Sequence, residues 1–501
     1  MTEKRMSGWL EFRNLQAVPL EAIPRRPAAE IRGQVAEAAA DGWRPVLFFG
    51  AREPLGTALH VVMADDDRSR LYGTSAMIEG QGTYPAITPD VPAFSVFERE
   101  FSEEFGIEPI GHPWLKPVRR GIAGSSPAGK TYPFFRMDGD EVHEVGVGPI
   151  HAGVIEPGHF RFSCQGEDVH HLEIQLGFQH RGVEDLMLRR RDHPAFPLHL
   201  AESIAGDSVI GHAGASAAAM EALGGIPLSR RAMIIRVIAL ELERIGAHLG
   251  DLSALAGDIA YATGNAAFGA LRTKAVNAML AICGSRFGRG LIAVGGVRFD
   301  LSRERQDVLR TALDEIEAGA DLAAEVMFAS SSVLARFEKT GIIGNETARR
   351  LGLVGMAARA SGLARDVRSD HPVGGYALIP IHKMTLDSGD VFARAYLRRI
   401  EIGQSIRIIR EMLEALGPGV LLAPPSGSSA STLVVSLVEG WRGEIAHAAL
   451  TDRDGRLNRY KIKDPSFHNW SGLAMAVRGN EISDFPLCNK SFNLSYCGFD
   501  L

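Results

Sequence analysis

The strongest constraint on the fold lies in residues 145–188, where apolar and polar side chains alternate in two short runs. Residues 159–163 form the first run. In the second, from 172 to 178, every second residue is apolar, which predicts half-buried strands. Turn residues flank both runs, and a short helix is predicted from residue 183 onward. The segment should form a small antiparallel sheet with one apolar face. The other face carries three polar side chains, those of His171, Glu173 and Gln175.

Six of the sixteen histidines fall between residues 143 and 180. One interpretation is a set of surface histidines, because loops tolerate polar residues freely. The other is a functional site, because titratable groups gathered at the edges of a sheet can bind a cofactor or exchange protons. The histidine pattern itself leaves both interpretations open.

Length, charge and cysteine content restrict the class of protein. A chain of 501 residues can form roughly two to four domains, and its net charge of −6 gives no basis for nucleic acid as a partner. The polar first residues predict no signal peptide, and no apolar run reaches the roughly 18 residues that a spanning helix needs. Four scattered cysteines without a C-x-x-C pair indicate a reducing, cytoplasmic setting and no self-contained iron–sulfur site.

The order of the predicted elements gives an α+β fold with two domains. Residues 1–120 contain helical and strand patterns, including four phenylalanines at helical spacing that end at Gly106, and form a small α/β domain. Residues 121–140 are a predicted linker, because the chain around them is rich in Gly, Ser and Pro. Residues 141–501 form a second domain that begins with the antiparallel sheet and becomes mainly helical. Its tail, residues 461–501, has no helical period and is predicted to be an ordered wrapping segment.

The longest predicted helix, residues 230–261, carries a charged stripe beside its apolar one. The stripe consists of Glu241, Arg244, His248 and Asp251. One interpretation is a solvated face whose local ion pairs contribute little. The flanking sequence is almost wholly apolar, however, as in a helix buried within a bundle, where such a stripe would line a pocket or a proton path.

Residues 97–118 contain three short motifs, Glu98-Arg99-Glu100, Phe105-Gly106-Ile107 and Gly111-His112-Pro113. This set resembles the signature of the small accessory subunit of respiratory complex I, with Glu104 where aspartate is usual. The second domain carries a longer set of spaced motifs: Gly148-Pro149-Ile150-His151, Glu156-Pro157-Gly158-His159-Phe160, His180-Arg181-Gly182-Val183-Glu184, Leu242-Glu243-Arg244-Ile245, Gly389-Asp390-Val391-Phe392 and Gly440-Trp441-Arg442-Gly443-Glu444.

That longer set resembles the large subunit shared by complex I and the membrane-bound nickel–iron hydrogenases of formate-hydrogenlyase type. The resemblance covers nearly all of residues 40–501, and fusion of the two subunits in this order is typical of that hydrogenase type. It implies a peripheral protein on the cytoplasmic side of the inner membrane. It also implies three kinds of partner, namely a small iron–sulfur cluster subunit, antiporter-like membrane subunits and peripheral dehydrogenase subunits.

The sequence departs from the hydrogenases where they bind metal. Their four thiolates come from R-x-C-G-x-C and D-P-C-x-x-C motifs, and soft thiolate ligands are what such a centre requires. Here Ala205 and Ser208 occupy the first pair of positions, and Ser466 and Asn469 occupy the second. The sequence therefore predicts no metal ligands and no hydrogenase activity.

Complex I uses the same cavity for quinone, and the resemblance assigns roles on that model. His151 and His248 are the predicted catalytic residues, at the head of the quinone chamber and beside the partner's cluster respectively. Arg181 is expected to face that cluster as a permanent cation. The further predicted cofactor-binding residues are His180, Glu184, Arg244 and His159. No cofactor is expected to be covalently bound, and the resemblance implies quinone as the ligand. Complex I also uses a tyrosine in the segment after the H-R-G motif, whereas no tyrosine occurs between Val183 and Ala260 here.

Two functions follow from the resemblance. In the first, the chain is the large subunit of a membrane-attached, NADH dehydrogenase-like oxidoreductase and forms a pocket for quinone or another small acceptor beside a partner's iron–sulfur cluster. In the second, it is a structural and coupling subunit that binds no substrate and links a peripheral dehydrogenase to ion-pumping membrane subunits. A bound acceptor in the purified complex would distinguish them.

Overall fold

A computed structural model describes residues 8–80, 82–119, 132–153, 155–190 and 196–501. The strands are β1 (Leu10–Phe12), β2 (Val18–Pro19), β3 (Arg25–Arg26), β4 (Arg44–Glu53), β5 (Gly56–Asp65), β6 (Arg70–Glu79), β7 (Thr83–Pro85), β8 (Glu108–Ile110), β9 (Val142–Val147), β10 (His159–Gln165), β11 (Asp168–Gln175), β12 (Ile292–Ala293), β13 (Gly296–Val297), β14 (Thr432–Gly440), β15 (Gly443–Thr451) and β16 (Leu457–Lys463).

The α-helices are α1 (Ala28–Ala40), α2 (Ser95–Phe105), α3 (Val183–Arg189), α4 (Leu198–Ala201), α5 (Val209–Gly224), α6 (Arg230–Asp258), α7 (Ala262–Cys283), α8 (Arg303–Ala329), α9 (Ser331–Phe337), α10 (Asn345–Leu351), α11 (Gly355–Ala360), α12 (Val367–Asp370), α13 (Val391–Glu414), α14 (Ser466–Ala476), α15 (Phe485–Phe492) and α16 (Tyr496–Asp500). Short 3-10 turns lie at Leu20–Ala22, Pro92–Phe94, Gly374–Leu378 and Ile482–Asp484. The predicted α+β fold is confirmed.

The N-terminal sheet has the order β1-β6-β5-β4, with β3 paired to β6, and its long strands form antiparallel hairpins. Helix α2 packs on β4 through the predicted phenylalanine stripe. The Phe48 ring, for example, lies 5.7 Å from Phe94 and 5.4 Å from Phe101. Gly106 ends the helix with φ +69°, a left-handed conformation that suits glycine, as the sequence predicted.

The histidine-rich segment forms the predicted antiparallel sheet, with the order β11-β10-β9. Phe160, Phe162 and Leu172 are buried on its apolar face. On the polar face Glu173 is buried too, because its carboxylate accepts hydrogen bonds from Lys116 Nζ at 2.6 Å and from the Phe135 amide at 2.6 Å. This sheet therefore packs on both faces.

The centre of the second domain is a helical bundle in which α6 contacts α7 and α13, and α7 contacts α8. Helix α6 begins after Ser229, whose hydroxyl accepts a hydrogen bond from the Ala232 amide, and α13 begins after Asp390, which caps it in the same way. Both helices begin where the apolar periods of the sequence begin.

The prediction for residues 461–501 was wrong, because this tail contains the end of β16 and the helices α14, α15 and α16. Helix α14 is buried almost all round, with Phe467, His468, Asn469, Trp470 and Leu473 all inside. A helix without a solvent face has no polar stripe, so its sequence shows no 3.6-residue period.

Strands β14, β15 and β16 form a sheet to which the N-terminal β2 adds a fourth strand. The N-terminal part is packed into the rest of the chain at other points as well, since the Phe97 ring lies 5.0 Å from that of Phe467. The predicted division at residues 120 and 140 stays a prediction, and residues 121–131 of the proposed linker lie outside the described residues.

Among the described residues, no single helix has the length and apolar composition to cross a membrane. Helices α8 and α9 pass that test only as a pair, with an 80° bend between them.

Gly355 and Gly403 give a test of the packing at the turn between β14 and β15. A Cβ atom on Gly355, where φ is +64°, would lie 2.2 Å from the Arg442 carbonyl oxygen, whereas one on Gly403, exposed in α13, would meet nothing within 4 Å. Gly355→Ala should lower the free energy of unfolding by about 3 kcal/mol. Gly403→Ala should raise it by about 0.5–1 kcal/mol. Urea unfolding of the purified full chain measures both, and equal midpoints for the two variants would contradict the packing.

Candidate functional site

Hydrogen bonds of two predicted site residues join residues 148–153 to residues 155–159. His151 Nε2 lies 2.8 Å from the Gly158 carbonyl oxygen, and His159 Nδ1 lies 3.0 Å from that of Gly148. Each of these imidazole nitrogens must therefore carry a proton and donate it. Gly148 has φ +82°, and a Cβ there would lie 2.2 Å from the Gly158 oxygen, so only glycine fits. Ile150 at the tip is 89 % exposed.

The turn at residues 180–182 is held by the last two residues of the chain. His180 Nδ1 donates to the Asp500 carbonyl oxygen at 2.7 Å, and the Arg181 and Gly182 amides donate to that of Leu501. The Asp500 carboxylate accepts hydrogen bonds from the amides of residues 177 and 179. Burial raises the pKa of Asp500 to about 6, so this anchoring carboxylate titrates near neutrality.

Arg181 is exposed, and its guanidinium connects two segments distant in sequence. It donates to the carbonyl oxygens of Ser203 and Ile204 and, at 2.9 Å, to that of Cys497. The turn thus joins the loop 203–208, which corresponds to the first hydrogenase motif, to the C-terminal helix α16. The predicted position of Arg181 toward a partner's cluster stays a prediction, and its exposure is compatible with it.

The four positions that carry cysteine in the hydrogenases hold side chains with protein partners. Ser208 Oγ accepts a hydrogen bond from Arg442 at 3.3 Å, and Ser466 Oγ accepts one from the Ser495 amide at 2.9 Å. Asn469 bonds both the amide and the carbonyl of Val354, while Ala205 is fully buried and offers no ligand atom. The polar side chains at these positions are thus hydrogen-bonded within the protein, and the expected absence of a nickel–iron centre stays a prediction.

An ion pair lies beside these positions. Arg442 binds the Asp207 carboxylate through two nitrogens, at 2.6 and 2.8 Å, and its guanidinium stacks 3.8 Å above the Trp441 ring. Burial alone would lower the pKa of Arg442, but the Asp207 carboxylate raises it, so the cation persists. Sequence reasoning missed this pair. Both residues lie within quoted motifs, but no spacing rule links positions 207 and 442.

The charged stripe of α6 is buried, so the interpretation as a solvated face was wrong. Glu241, Arg244 and His248 have no exposed surface, and Asp251 is buried beside them. Arg398 of α13 pairs with Asp251 at 2.7 Å, and Arg368 of α12 pairs with Glu241 at 3.1 Å. The helix contributes to an internal ion network, and the role of that network as a proton path stays a prediction.

Glu401 of α13 is the centre of that network. It accepts hydrogen bonds from His248 Nε2 at 2.8 Å and from Arg359 at 2.7 Å, and Arg359 also binds Glu439 at 2.7 Å. Burial alone would raise the pKa of Glu401, but Arg359 and His248 hold it well below its ordinary value. Burial lowers the pKa of His248 despite the neighbouring Glu401, so this imidazole is predominantly neutral at pH 7.

The side chains of Arg244 and Glu184 are engaged by the protein itself. Arg244 donates to the carbonyl oxygens of Glu439 and Gly440 and to the Glu241 carboxylate. Glu184 accepts the Ile462 amide at 2.9 Å and pairs with Lys461 at 3.1 Å. The cofactor contacts predicted for these two residues stay predictions.

The predicted catalytic histidines occupy different environments. His151 is partly exposed, whereas His248 is fully buried, with the Trp441 ring 6.3 Å from its own. Arg181 and His248 share no hydrogen bond or ion pair within the described ranges. Across those ranges no group of three or more His, Cys, Asp and Glu side chains is arranged to hold a metal ion.

Comparison with known proteins identifies a matching family model and several similar proteins. Residues 258–429 match the family model described as the 49 kDa subunit of respiratory-chain NADH dehydrogenase. The chain is 28% identical to hydrogenase-4 component G of Escherichia coli (strain K12) over 479 residues, 91% of this chain and 83% of that protein. It is 30% identical to an NADH-quinone oxidoreductase subunit of Dehalococcoides mccartyi (strain ATCC BAA-2266 / KCTC 15142 / 195) over 346 residues, 68% of this chain and 92% of that protein.

Among solved structures, a chain of the membrane-bound sulfane sulfur reductase, an archaeal respiratory membrane complex, has the same fold. The TM-score is 0.67 at 22% identity, and the match covers 73% of this chain and all of that one.

Asp500→Asn tests the anchor of the 180–182 turn. Because the pKa of Asp500 is raised in the folded state, its stabilising contribution is complete below about pH 4 and is lost as the pH rises through 6. The difference in free energy of unfolding between wild type and Asp500→Asn should therefore fall by up to roughly 3 kcal/mol over this range. Urea unfolding at several pH values measures it, with Asp454→Asn in an exposed turn as the control. A pH-independent difference would contradict the buried anchor.

Proposed function

Because this chain belongs to the family of large subunits of respiratory complex I and membrane-bound hydrogenases, we propose that it forms the acceptor site of a complex-I-like oxidoreductase. The proposed acceptor is a quinone, and the electrons would come from an iron–sulfur cluster of a small partner subunit. One observation carries the proposal. The loops of the site remain joined by Arg181, while all four hydrogenase cysteine positions hold residues without a thiolate.

The chain itself supplies neither a nickel–iron centre nor a cluster site in this proposal. Ser208, Ser466 and Asn469 are hydrogen-bonded within the protein, and the Asp207–Arg442 pair lies beside Ser208. Cys164 and Cys488 are buried in two different elements, β10 and α15, and Cys283 ends α7. The four cysteines are thus dispersed, which supports delivery of electrons by a partner.

His151 is the proposed proton donor to the acceptor. Its Nε2 proton is used on the Gly158 carbonyl, which leaves Nδ1 to take up and release a second proton. An imidazole can then protonate a quinone oxygen as negative charge arrives there. The tyrosine that complex I places in this cavity is absent between residues 183 and 260, so proton delivery would depend on histidine.

Docking of the partners is proposed through the face of the histidine-rich sheet. Strand β9 is the edge of that sheet; its last residue, Val147, is 37 % exposed, and Ile150 at the tip of the following loop is exposed as well. An exposed edge and an apolar tip are features of a protein interface. One relative and one similar solved structure are named as parts of membrane-bound complexes, which supports membrane attachment. The partners proposed to provide it include antiporter-like subunits and a peripheral dehydrogenase.

A coupling subunit without a substrate is the second candidate, and the buried ion network favours it. The network joins α6, α11, α12 and α13 to the β14–β15 hairpin. A shift of one of these helices would therefore displace the other elements of the network. Such a set of paired charges can transmit movement between partners as well as line a proton path.

A redox titration of the partner's cluster in the purified complex distinguishes the two candidates. Arg181→Met removes a cation and should lower the midpoint potential by on the order of tens of millivolts. His248→Met should weaken the pH dependence of that potential. His151→Gln should slow quinone reduction and leave the potential unchanged. Arg189→Met, at an exposed position at the end of the following helix α3, is the control. If neither Arg181→Met nor His248→Met alters the titration, the proposed acceptor site is refuted and the coupling function replaces it.

Metal content gives an independent test. The complex should contain iron from cluster subunits but no nickel, because no thiolate stands at the four positions of the hydrogenase motifs. Elemental analysis of the purified complex measures this, and one nickel per copy of this chain would refute the assignment.

A further inference from the structure

Five buried side chains form a continuous chain of hydrogen bonds beneath the site. His212 Nε2 lies 3.0 Å from Asp464 Oδ2, and His212 Nδ1 lies 3.1 Å from His447 Nε2. His447 Nδ1 lies 2.8 Å from the Tyr460 hydroxyl, which is itself 2.8 Å from Ser216 Oγ. None of these five residues is more than 1 % exposed.

Two opposite sets of donors can satisfy this chain. In the first, the Asp464 carboxylate is ionised, Ser216 donates to Tyr460, Tyr460 to His447, His447 to His212 and His212 to Asp464. The structure has Tyr460 donating to Ser216, so the first set requires both hydroxyl groups to rotate. If one proton is added, every donor reverses. Asp464 is then protonated and donates to His212, and the last bond runs from Tyr460 to Ser216. No hydrogen bond is lost, and the two states differ by one proton.

The surroundings favour an ionised Asp464 and a neutral His447. Burial, together with His212, holds the pKa of His447 well below its ordinary value. Burial alone would raise the pKa of Asp464, but His212 and the guanidinium of Arg442 lower it. Burial raises the pKa of Tyr460, with a smaller effect from Glu184, so the phenol keeps a proton to pass on.

The Asp464 end of the chain lies at the site. Asp464 Oδ1 accepts the Ser466 amide at 2.7 Å, and a Cβ on Gly498 of α16 would lie 2.7 Å from the Asp464 carboxyl carbon. Arg442, which contributes to the field at Asp464, binds Asp207 in the loop 203–208. The carboxylate therefore lies among the segments that Arg181 joins.

We propose that Asp464, His212, His447 and Tyr460 form a one-proton relay that supplies a proton to the acceptor site as electrons arrive. Tyr460 takes the Ser216 proton, its own proton moves to His447 Nδ1, the Nε2 proton of His447 moves to His212 Nδ1, and that of His212 moves to Asp464. A hydronium ion from the solvent gives a proton to Ser216 and becomes water. Asp464 then gives up one of the two protons that a quinone takes with two electrons, which the partner's cluster passes on one at a time.

This role rests on the proposed function, since the recipient is the quinone. The relay itself is a property of the chain and is tested without it. A set of hydrogen bonds with only a structural role keeps one direction at all pH values, whereas a relay reverses as a unit.

Infrared difference spectra of the full chain with isotope-labelled histidine and tyrosine, recorded across a pH titration, measure this reversal. The Tyr460 band is the one missing in Tyr460→Phe, and the His447 bands are those missing in His447→Gln. We expect both to change at one common pH, and Tyr460→Phe to shift the midpoint of the histidine bands. His468→Gln is the matched control, because His468 is also buried but bonds the Ala93 carbonyl oxygen. A Tyr460 band that is constant across the titration overturns the relay.

Turnover of the complex with a ubiquinone that has a single isoprene unit tests the link to the site. Tyr460→Phe should lower the rate about tenfold and raise the solvent deuterium isotope effect, as expected when a proton transfer step is impaired. His468→Gln should leave both unchanged. A normal rate and isotope effect in Tyr460→Phe, in a complex that reduces quinone, refute the relay. A wild-type complex that reduces no quinone refutes the proposed function instead, while the spectra still decide the relay.

Discussion

The internal charges of the bundle must be matched, and the rest of the structure follows from that requirement. Glu401 on α13 receives His248 from α6 and Arg359 from α11, and Arg359 continues to Glu439 at the end of β14. An unpaired charge inside a protein costs several kcal/mol, so these helices and the hairpin can take only the positions that complete the pairs. The hairpin turn that follows Glu439 is thereby directed into the site.

That turn connects loops that are distant in sequence through hydrogen bonds. Arg442 joins Asp207 and Ser208 of one loop to the Asn493 carbonyl oxygen near the C-terminus. A guanidinium has five donors in a plane and can bind several acceptors at once, so it can hold loops together without soft ligands. The hydrogen bonds of Arg442 therefore hold these segments together.

The N-terminal part is attached to the rest by charge as well as by apolar packing. Glu100 of α2 pairs with Arg119 and with Lys461, which lies in β16. Arg459 of the same strand pairs with Glu104 of α2. The rings of Phe97 and Phe467 pack close by. These contacts place the N-terminal part against β16, the strand that carries Tyr460. Asp464 directly follows that strand. The N-terminal part and the rest of the chain thus share ion pairs and apolar packing.

The sequence by itself determined the elements with a clear period, such as α2, the β10–β11 hairpin and α6, because one face of each is apolar and the spacing is local. It also predicted that the positions of the four hydrogenase cysteines carry other residues. Only the tertiary structure decided that the α6 stripe is buried, that α14 is a helix, and that Asp207 meets Arg442 and His212 meets Asp464. The last two contacts join residues more than two hundred positions apart. No local pattern encodes such pairs, because their energy depends on burial that exists only after the chain has folded.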